Sequence, residues 1–155
     1  MDHFRTLLGV TVAVCWLVAP AFGQSNPRWC RIKTIVGQVK IRRGKQVTWR
    51  PARPRMPLRQ SDAIRTFVES EAVIETSEGT VIEVGENSTM EMAAFTSQVK
   101  GSGRTRVKIL TGNVLSDVKK LVGKKSTFEF ETPTAVASIR GTRVGFRVSS
   151  EQTRI

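Results

Sequence analysis

The stretch TPTAVASIRGTRVGFRV, residues 132–148, is the most informative part of the chain because its parts have different structural roles. Pro133 has no backbone N–H to donate to a sheet, so it belongs at the first residue of a strand or at a sheet edge. Residues 140–142 are typical of a corner, in which Gly141 supplies backbone freedom. The six residues that follow alternate between apolar Val144, Phe146 and Val148 and outward Arg143, Gly145 and Arg147. This alternation predicts a strand with one buried and one exposed face.

The same period-two alternation recurs along most of the chain, for example in residues 35–42, 72–76, 80–84 and 128–131. No segment shows a convincing helical period. At least seven short strands, separated by turn signals every 8–14 residues, are therefore expected. Such a pattern indicates an all-β domain that is a sandwich, a barrel or a solenoid. Three prolines within residues 50–57 predict a loop there.

The N-terminus has the pattern of a secretory signal peptide, residues 1–23. Arg5 precedes an apolar run at residues 7–18, and small residues at Ala21 and Gly23 suit a cleavage site. The run is shorter than the roughly 20 apolar residues that span a bilayer. We expect an exported protein that begins at Gln24, with a lead-in at residues 24–34 and one all-β domain at residues 35–155.

Histidine and cysteine usage argues against an enzyme. His3 and Cys15 lie in the signal segment, so the mature chain keeps Cys30 as a single thiol and has no histidine. Without histidine the chain cannot run a Ser-His-Asp or Cys-His relay, and common catalytic zinc sites lose their usual ligand. We therefore expect no catalytic residues, no metal and no cofactor, and a Cys30 that is buried or half-buried.

The formal net charge of +12 indicates an anionic partner. For an exported chain this favours an envelope protein or an anionic polymer, such as a polysaccharide or lipopolysaccharide, over nucleic acid, with at most peripheral membrane contact. Residues 66–99 contain seven glutamates and no Lys or Arg, whereas both flanks are basic. Since all-β folds place segments distant in sequence side by side, we expect the acidic strands to lie between basic ones.

Two groups of basic residues are candidate anion sites. Arg140, Gly141 and Thr142 could hold a phosphate or carboxylate with a guanidinium and backbone N–H groups. The favoured alternative is structural, in which Arg140 turns inward and pairs with Asp62 to lock the corner. The second group, expected to be an exposed hairpin tip or an anion-binding knob, consists of Lys119, Lys120, Lys124 and Lys125.

Glu129 and Glu131 stand two apart on one predicted strand face. A glycosidase needs two carboxyl groups about 5–9.5 Å apart, which this spacing permits. A solvated strand face is the favoured interpretation of the pair.

The chain resembles the FecR family of envelope domains over roughly residues 35–148. The signature around residues 132–142 is similar to that family's TPtAvAxvRGT motif. The other matching segments, in order, are residues 37–39, 49–51, 58–66, 70–74, 78–82, 86–90, 110–114 and 128–133. Ser61 stands where the family usually has glycine.

This resemblance implies a single domain of two stacked sheets with β-solenoid or sandwich character. The best-known members are inner-membrane regulators that relay iron–siderophore status to a cytoplasmic sigma factor. Here the domain follows a signal peptide directly, and the family pattern adds a strand after the point where this chain ends. The resemblance leaves open whether the domain is complete.

The favoured function is a non-enzymatic, exported binding module of the bacterial periplasm or cell surface. The alternative is a periplasmic sensing element of iron–siderophore signalling that acts through a partner chain. A carboxylate-based glycan hydrolase is the third and least supported interpretation.

Overall fold

The computed structural model describes residues 28–97, 103–120, 126–149 and 153–155. Within these residues the secondary structure is all β, with twelve strands and no helix. The strands are β1 (Cys30–Val36), β2 (Val39–Arg42), β3 (Trp49–Pro51), β4 (Ala63–Thr66), β5 (Glu71–Thr76), β6 (Val81–Val84), β7 (Thr89–Ser97), β8 (Gly103–Asp117), β9 (Thr127–Glu131), β10 (Val136–Ile139), β11 (Arg143–Val148) and β12 (Thr153–Arg154). The predicted signal peptide lies outside the described residues.

The long strand β8 organises the fold because its two halves pair with different neighbours. Its first half, residues 103–111, lies between β7 and the parallel strand β9. Its second half, residues 112–117, lies between the antiparallel strands β6 and β11. At the junction Gly112 has a φ of 97°, and a Cβ there would lie 2.1 Å from the Ser88 hydroxyl oxygen. Both the backbone angle and the close approach require glycine at this position.

The halves of β8 define two wings of one open, curled sheet. Wing 1 contains β1, β5, β6, the second half of β8, β11 and β12. Wing 2 contains β3, β2, β4, β7, the first half of β8, β9 and β10. Every strand pair except β8 with β9 is antiparallel. The strand order also shows that β3 and β10 are edge strands of wing 2.

The inward side chains of both wings belong to a single hydrophobic core. Phe130 of wing 2 is fully buried, and its ring centroid lies 4.7 Å from that of Phe146 in wing 1. Phe128, next along β9, has its ring centroid 5.3 Å from that of Phe130. Because burying one such side chain stabilises by about 1.5–3 kcal/mol, the contact between Phe130 and Phe146 helps to hold the two wings together.

These observations confirm the all-β prediction and the pattern of the strand after the corner. Phe146 and Val148 are buried, whereas Arg143 and Arg147 are exposed. Pro133 does not begin a strand, which was one of its two predicted positions, but lies in the turn between β9 and the edge strand β10. There the Ala135 N–H donates to the Thr132 hydroxyl at 3.0 Å.

The predicted loop at residues 50–57 is shorter than the sequence suggested. Pro51 lies in β3 opposite Lys40, and Pro57 forms a β-bridge with Arg31. A proline is tolerated in β3 because that strand is an edge, where the missing N–H need not serve the sheet. β1 begins at Cys30, within the stretch expected to be a lead-in, and Cys30 is buried as predicted.

The strand order confirms that acidic strands lie between basic ones. β5 and β6, which carry glutamates, stand between the basic strands β1 and β8. Arg31 of β1 pairs with Glu75 of β5 at 2.7 Å, and Arg42 of β2 pairs with Glu91 of β7 at 3.3 Å. The segregation of charge along the sequence is therefore partly cancelled in space.

Candidate anion-binding corner

Residues 140–142 carry the chain from the edge of wing 2 into wing 1. β10 pairs with β9 in wing 2, whereas β11, which starts at Arg143, pairs with the second half of β8. Gly141 makes the turn with a φ of 68°, a left-handed conformation that side chains disfavour. The Thr142 carbonyl accepts a hydrogen bond from the Val118 N–H at 3.0 Å. A Cβ on Gly141 would lie 3.4 Å from the Lys120 Cα, so the corner packs directly on the segment after β8.

This packing brings together two candidate groups that the sequence treats as separate. We define the basic corner as Lys119, Lys120, Arg140 and Arg143, all of which are exposed. Asp117 is the carboxylate next to them, since it pairs with the Lys119 ammonium at 2.8 Å and lies opposite Arg143 in the strand register. The predicted hairpin is wrong, because β8 and β9 pair in parallel and the segment between them is a crossover connection. Its other two lysines, Lys124 and Lys125, lie outside the described residues.

The predicted pairing of Arg140 with Asp62 is wrong. Asp62 is 3% exposed, and its carboxylate accepts from the Arg43 guanidinium at 2.6 Å. The same carboxylate also accepts the backbone N–H groups of Gly44 and Arg59, each at 2.9 Å. Arg43 directly follows β2 and is placed to reach Asp62 because β2 pairs with β4, which begins just after Asp62. Asp62 is therefore an architectural residue, and Arg140 remains exposed.

A comparison with protein families identifies the fold family. The family model described as FecR protein matches residues 62–155, more than half of the chain. The chain belongs to the FecR family. Comparisons with curated proteins and with solved structures found no match. The matched FecR residues include Asp62 and the whole basic corner, whereas the resembling segments before residue 62 lie outside the match.

Glu129 and Glu131 lie on one face of β9 in this FecR domain, as predicted, and both pair with cations of β8. The Arg106 guanidinium donates to Glu129 at 2.9 and 2.7 Å, and Lys108 lies 3.4 Å from Glu131. The hydrogen bond and the charge of Glu129 raise the pKa of the Arg106 guanidinium. The geometry favours a charge-paired strand face.

Cys30 lies in the core of wing 1 beside a pocket of about 260 Å³. Burial, and then the nearby Glu78 carboxylate, raise the pKa of the Cys30 thiol from an ordinary 9.0 to about 12. Since the thiolate is the reactive form, this shift disfavours reaction of the Cys30 thiol at neutral pH. Its position in the core is that of a packing residue.

The described residues contain no group of three His, Cys, Asp or Glu side chains that could hold a metal ion. Among those same residues, no helix has the length and apolar character needed to cross a membrane.

Sequence reasoning missed a concave surface on the outward face of wing 1. This hollow has a volume of about 470 Å³ and lies over Gly85 and Gly145, beside Leu115. The two glycines occupy outward-facing positions in the alternating pattern of their segments. The missing side chains at these positions were the only sequence signal for the hollow. Strand order, which sequence does not show, was needed to place them near each other.

Proposed function

We propose that this FecR-family chain is a non-enzymatic, exported module that binds an anionic polysaccharide or lipopolysaccharide of the cell envelope through its basic corner. The observation that carries the proposal is the packing of residues 140–142 on Lys120. That contact places the turn that carries Arg140, next to Arg143, beside the segment that carries Lys119 and Lys120, and all four side chains are exposed. The proposal includes cleavage after residue 23 and residence in the periplasm or at the cell surface.

The chemistry of the corner suits a polymer with repeated anionic groups. Arg140 and Arg143 can each hold a phosphate or carboxylate with two parallel hydrogen bonds, whereas Lys119 and Lys120 act as mobile point charges. Exposed contacts of this kind contribute up to about 1 kcal/mol each. A polymer that engages several of them together gains affinity that a single small anion does not.

We also propose that the two wings stack as layers of sandwich or solenoid character. The contact between Phe130 and Phe146 supports this arrangement because it joins the inner faces of the two wings.

The test compares two triple variants with the same change in net charge. The corner variant is Lys120→Gln, Arg140→Gln and Arg143→Gln, and the control variant is Lys33→Gln, Lys45→Gln and Arg53→Gln, at exposed positions elsewhere. Retention on immobilised lipopolysaccharide, with neutral dextran as the blank, should be lost in the corner variant and kept in the control. Added salt should weaken retention of the unmodified protein, since exposed charge contacts are screened.

Equal loss of retention in both variants would assign binding to overall charge and contradict a specific corner. Retention of the corner variant at the level of the unmodified protein would also contradict it. Circular dichroism of both variants establishes that they remain folded.

Membership of the FecR family favours a second candidate function, a periplasmic sensing element of transmembrane signalling. In this case the chain would act through a partner that crosses the membrane. The test is co-purification of the chain with a membrane-spanning partner from envelope extracts at high salt. Because high salt screens polymer binding, co-purification that persists there would support the sensing function over polymer binding.

A further inference from the structure

The hollow on wing 1 exists because a side chain is missing where one would fit. Gly145 faces outward in β11, opposite Leu115 of β8, and a Cβ there would lie 3.5 Å from the Leu115 Cδ1, an ordinary contact distance. Its φ lies outside the left-handed region that requires glycine. Glycine in a strand interior costs stability and often marks a place where another molecule approaches closely. Neither backbone geometry nor packing requires a glycine at position 145. We therefore attribute this glycine to the open space that it leaves above the strand.

The two walls of the hollow carry opposite charges. Glu71 of β5 and Glu83 of β6 stand on one side, and Arg147 of β11 stands on the other. Within the described part of the chain, neither glutamate has an ion-pair partner. The Arg147 Nε donates to the Asn113 side-chain oxygen at 3.1 Å, which orients the guanidinium and leaves its other N–H groups for a ligand.

Between the charged walls the lining is mostly apolar. Leu115, Ile155 and the bare backbone at Gly145 line this part, and a pocket of about 470 Å³ is within the size range of small-molecule sites. Strand order places β5 and β11 three spacings apart, which is about 14 Å at 4.8 Å per spacing. The charged side chains shorten the gap between them. An extended peptide advances about 3.3–3.6 Å per residue, so about three residues bridge the hollow.

We propose that the hollow on wing 1 binds short peptides with a free amino terminus and a free carboxyl terminus. The ammonium group lies against Glu71 and Glu83, the carboxylate accepts from Arg147, and small aliphatic side chains cover Leu115 and Gly145. This site is separate from the basic corner and does not depend on it. Its ligand is neutral overall, whereas the ligand of the corner is a polyanion.

The direct test measures binding of trialanine to the full chain by NMR chemical-shift changes. Trialanine that is acetylated at the amino end, amidated at the carboxyl end, or both, supplies matched ligands that lack one or both charges. Each blocked end should weaken binding by up to about fivefold, the scale of one partly exposed ion pair of about 1 kcal/mol. Equal binding of free and doubly blocked peptide, or no shift with free peptide at about 50 mM, would overturn the proposal, because two pairs of about 1 kcal/mol each correspond to an affinity of tens of millimolar.

Variants locate the site on the protein. Arg147→Gln should weaken trialanine binding by up to about fivefold but leave the affinity for the amidated peptide unchanged. The exposed Arg53→Gln carries the same charge change and should bind as the unmodified protein does. Loss of affinity for both peptides in Arg147→Gln, or in Arg53→Gln as well, would contradict the assignment of Arg147 to the carboxylate.

Gly145→Val fills the floor of the hollow with a residue that favours strands. It should abolish binding of every form of the peptide, and Ser138→Val, which adds the same side chain at an exposed position of β10, should not. Undiminished binding in a folded Gly145→Val would overturn the site. If that variant does not fold, the ligand-end comparison in Arg147→Gln decides the question.

Discussion

Asp62 and Arg140 are charged residues in two stretches that resemble the FecR pattern, and their surroundings are opposite. Asp62 is almost fully buried and accepts three hydrogen bonds, from Arg43 and from two backbone N–H groups. Arg140 is exposed on a turn built by Gly141 and anchored by backbone contacts. The comparison teaches that a charged residue in a family motif stabilises the fold when it is buried and satisfied. Where backbone contacts alone hold a turn, as they do at Arg140, the charged side chain stays exposed and available to a binding partner.

The largest expected effect is on the buried side of this comparison. Asp62→Ala should lower the free energy of unfolding by about 3 kcal/mol, because it strands the Arg43 guanidinium and two backbone donors. Urea denaturation followed by circular dichroism measures this. Asp117→Ala removes an exposed ion pair with Lys119 and should cost less than about 1 kcal/mol. Equal effects of the two variants would contradict the distinction between a buried carboxylate that stabilises the fold and an exposed ion pair.

The second prediction concerns pH and the buried thiol of Cys30. Its pKa is about 12 in the folded state against 9.0 ordinarily, so the folded protein keeps a proton that the unfolded chain releases. This contribution to stability is complete below about pH 9 and is lost as pH rises toward 12, with about 1.4 kcal/mol gone by pH 10. Denaturation midpoints between pH 8 and 10 should therefore fall faster in the unmodified protein than in Cys30→Ala. Parallel pH profiles would show that the thiol is not buried in solution.

The third prediction tests whether backbone builds the corner. Gly141→Ala should destabilise by about 1–2 kcal/mol because alanine disfavours the φ of 68°. Its Cβ meets the Lys120 backbone at 3.4 Å, an ordinary contact, so steric clash adds little. Thermal unfolding measures the change. A neutral outcome would mean that the turn relaxes to another conformation.

The smallest effect is expected at Arg140 itself. Arg140→Ala should change the free energy of unfolding by less than about 0.5 kcal/mol, since an exposed side chain away from the core contributes little. The same variant should reduce lipopolysaccharide retention. A destabilisation as large as that of Asp62→Ala would restore an architectural role for Arg140.

Sequence reasoning reached the elements of the fold more fully than it reached the site. Alternation placed Phe146 and Val148 in the core and Arg147 outside, because the period of a strand is a local property. It assigned the wrong partner to Asp62, since the guanidinium that reaches it is decided by the pairing of β2 with β4. It also treated Lys120 and Arg140 as members of separate groups. Their proximity follows from the crossing between wings, which no local pattern encodes.

Residue identity and local periodicity were enough to show that this protein is all β, that its histidine lies in the N-terminal segment, and that its signature resembles the FecR family. These properties depend on residue identity and on short-range period, which are complete in the chain before it folds. The tertiary structure alone decided the bend of β8 at Gly112, the basic corner and the charged hollow over Gly145. Each of these depends on which strands become neighbours, and that choice is made by burying both wings against one core.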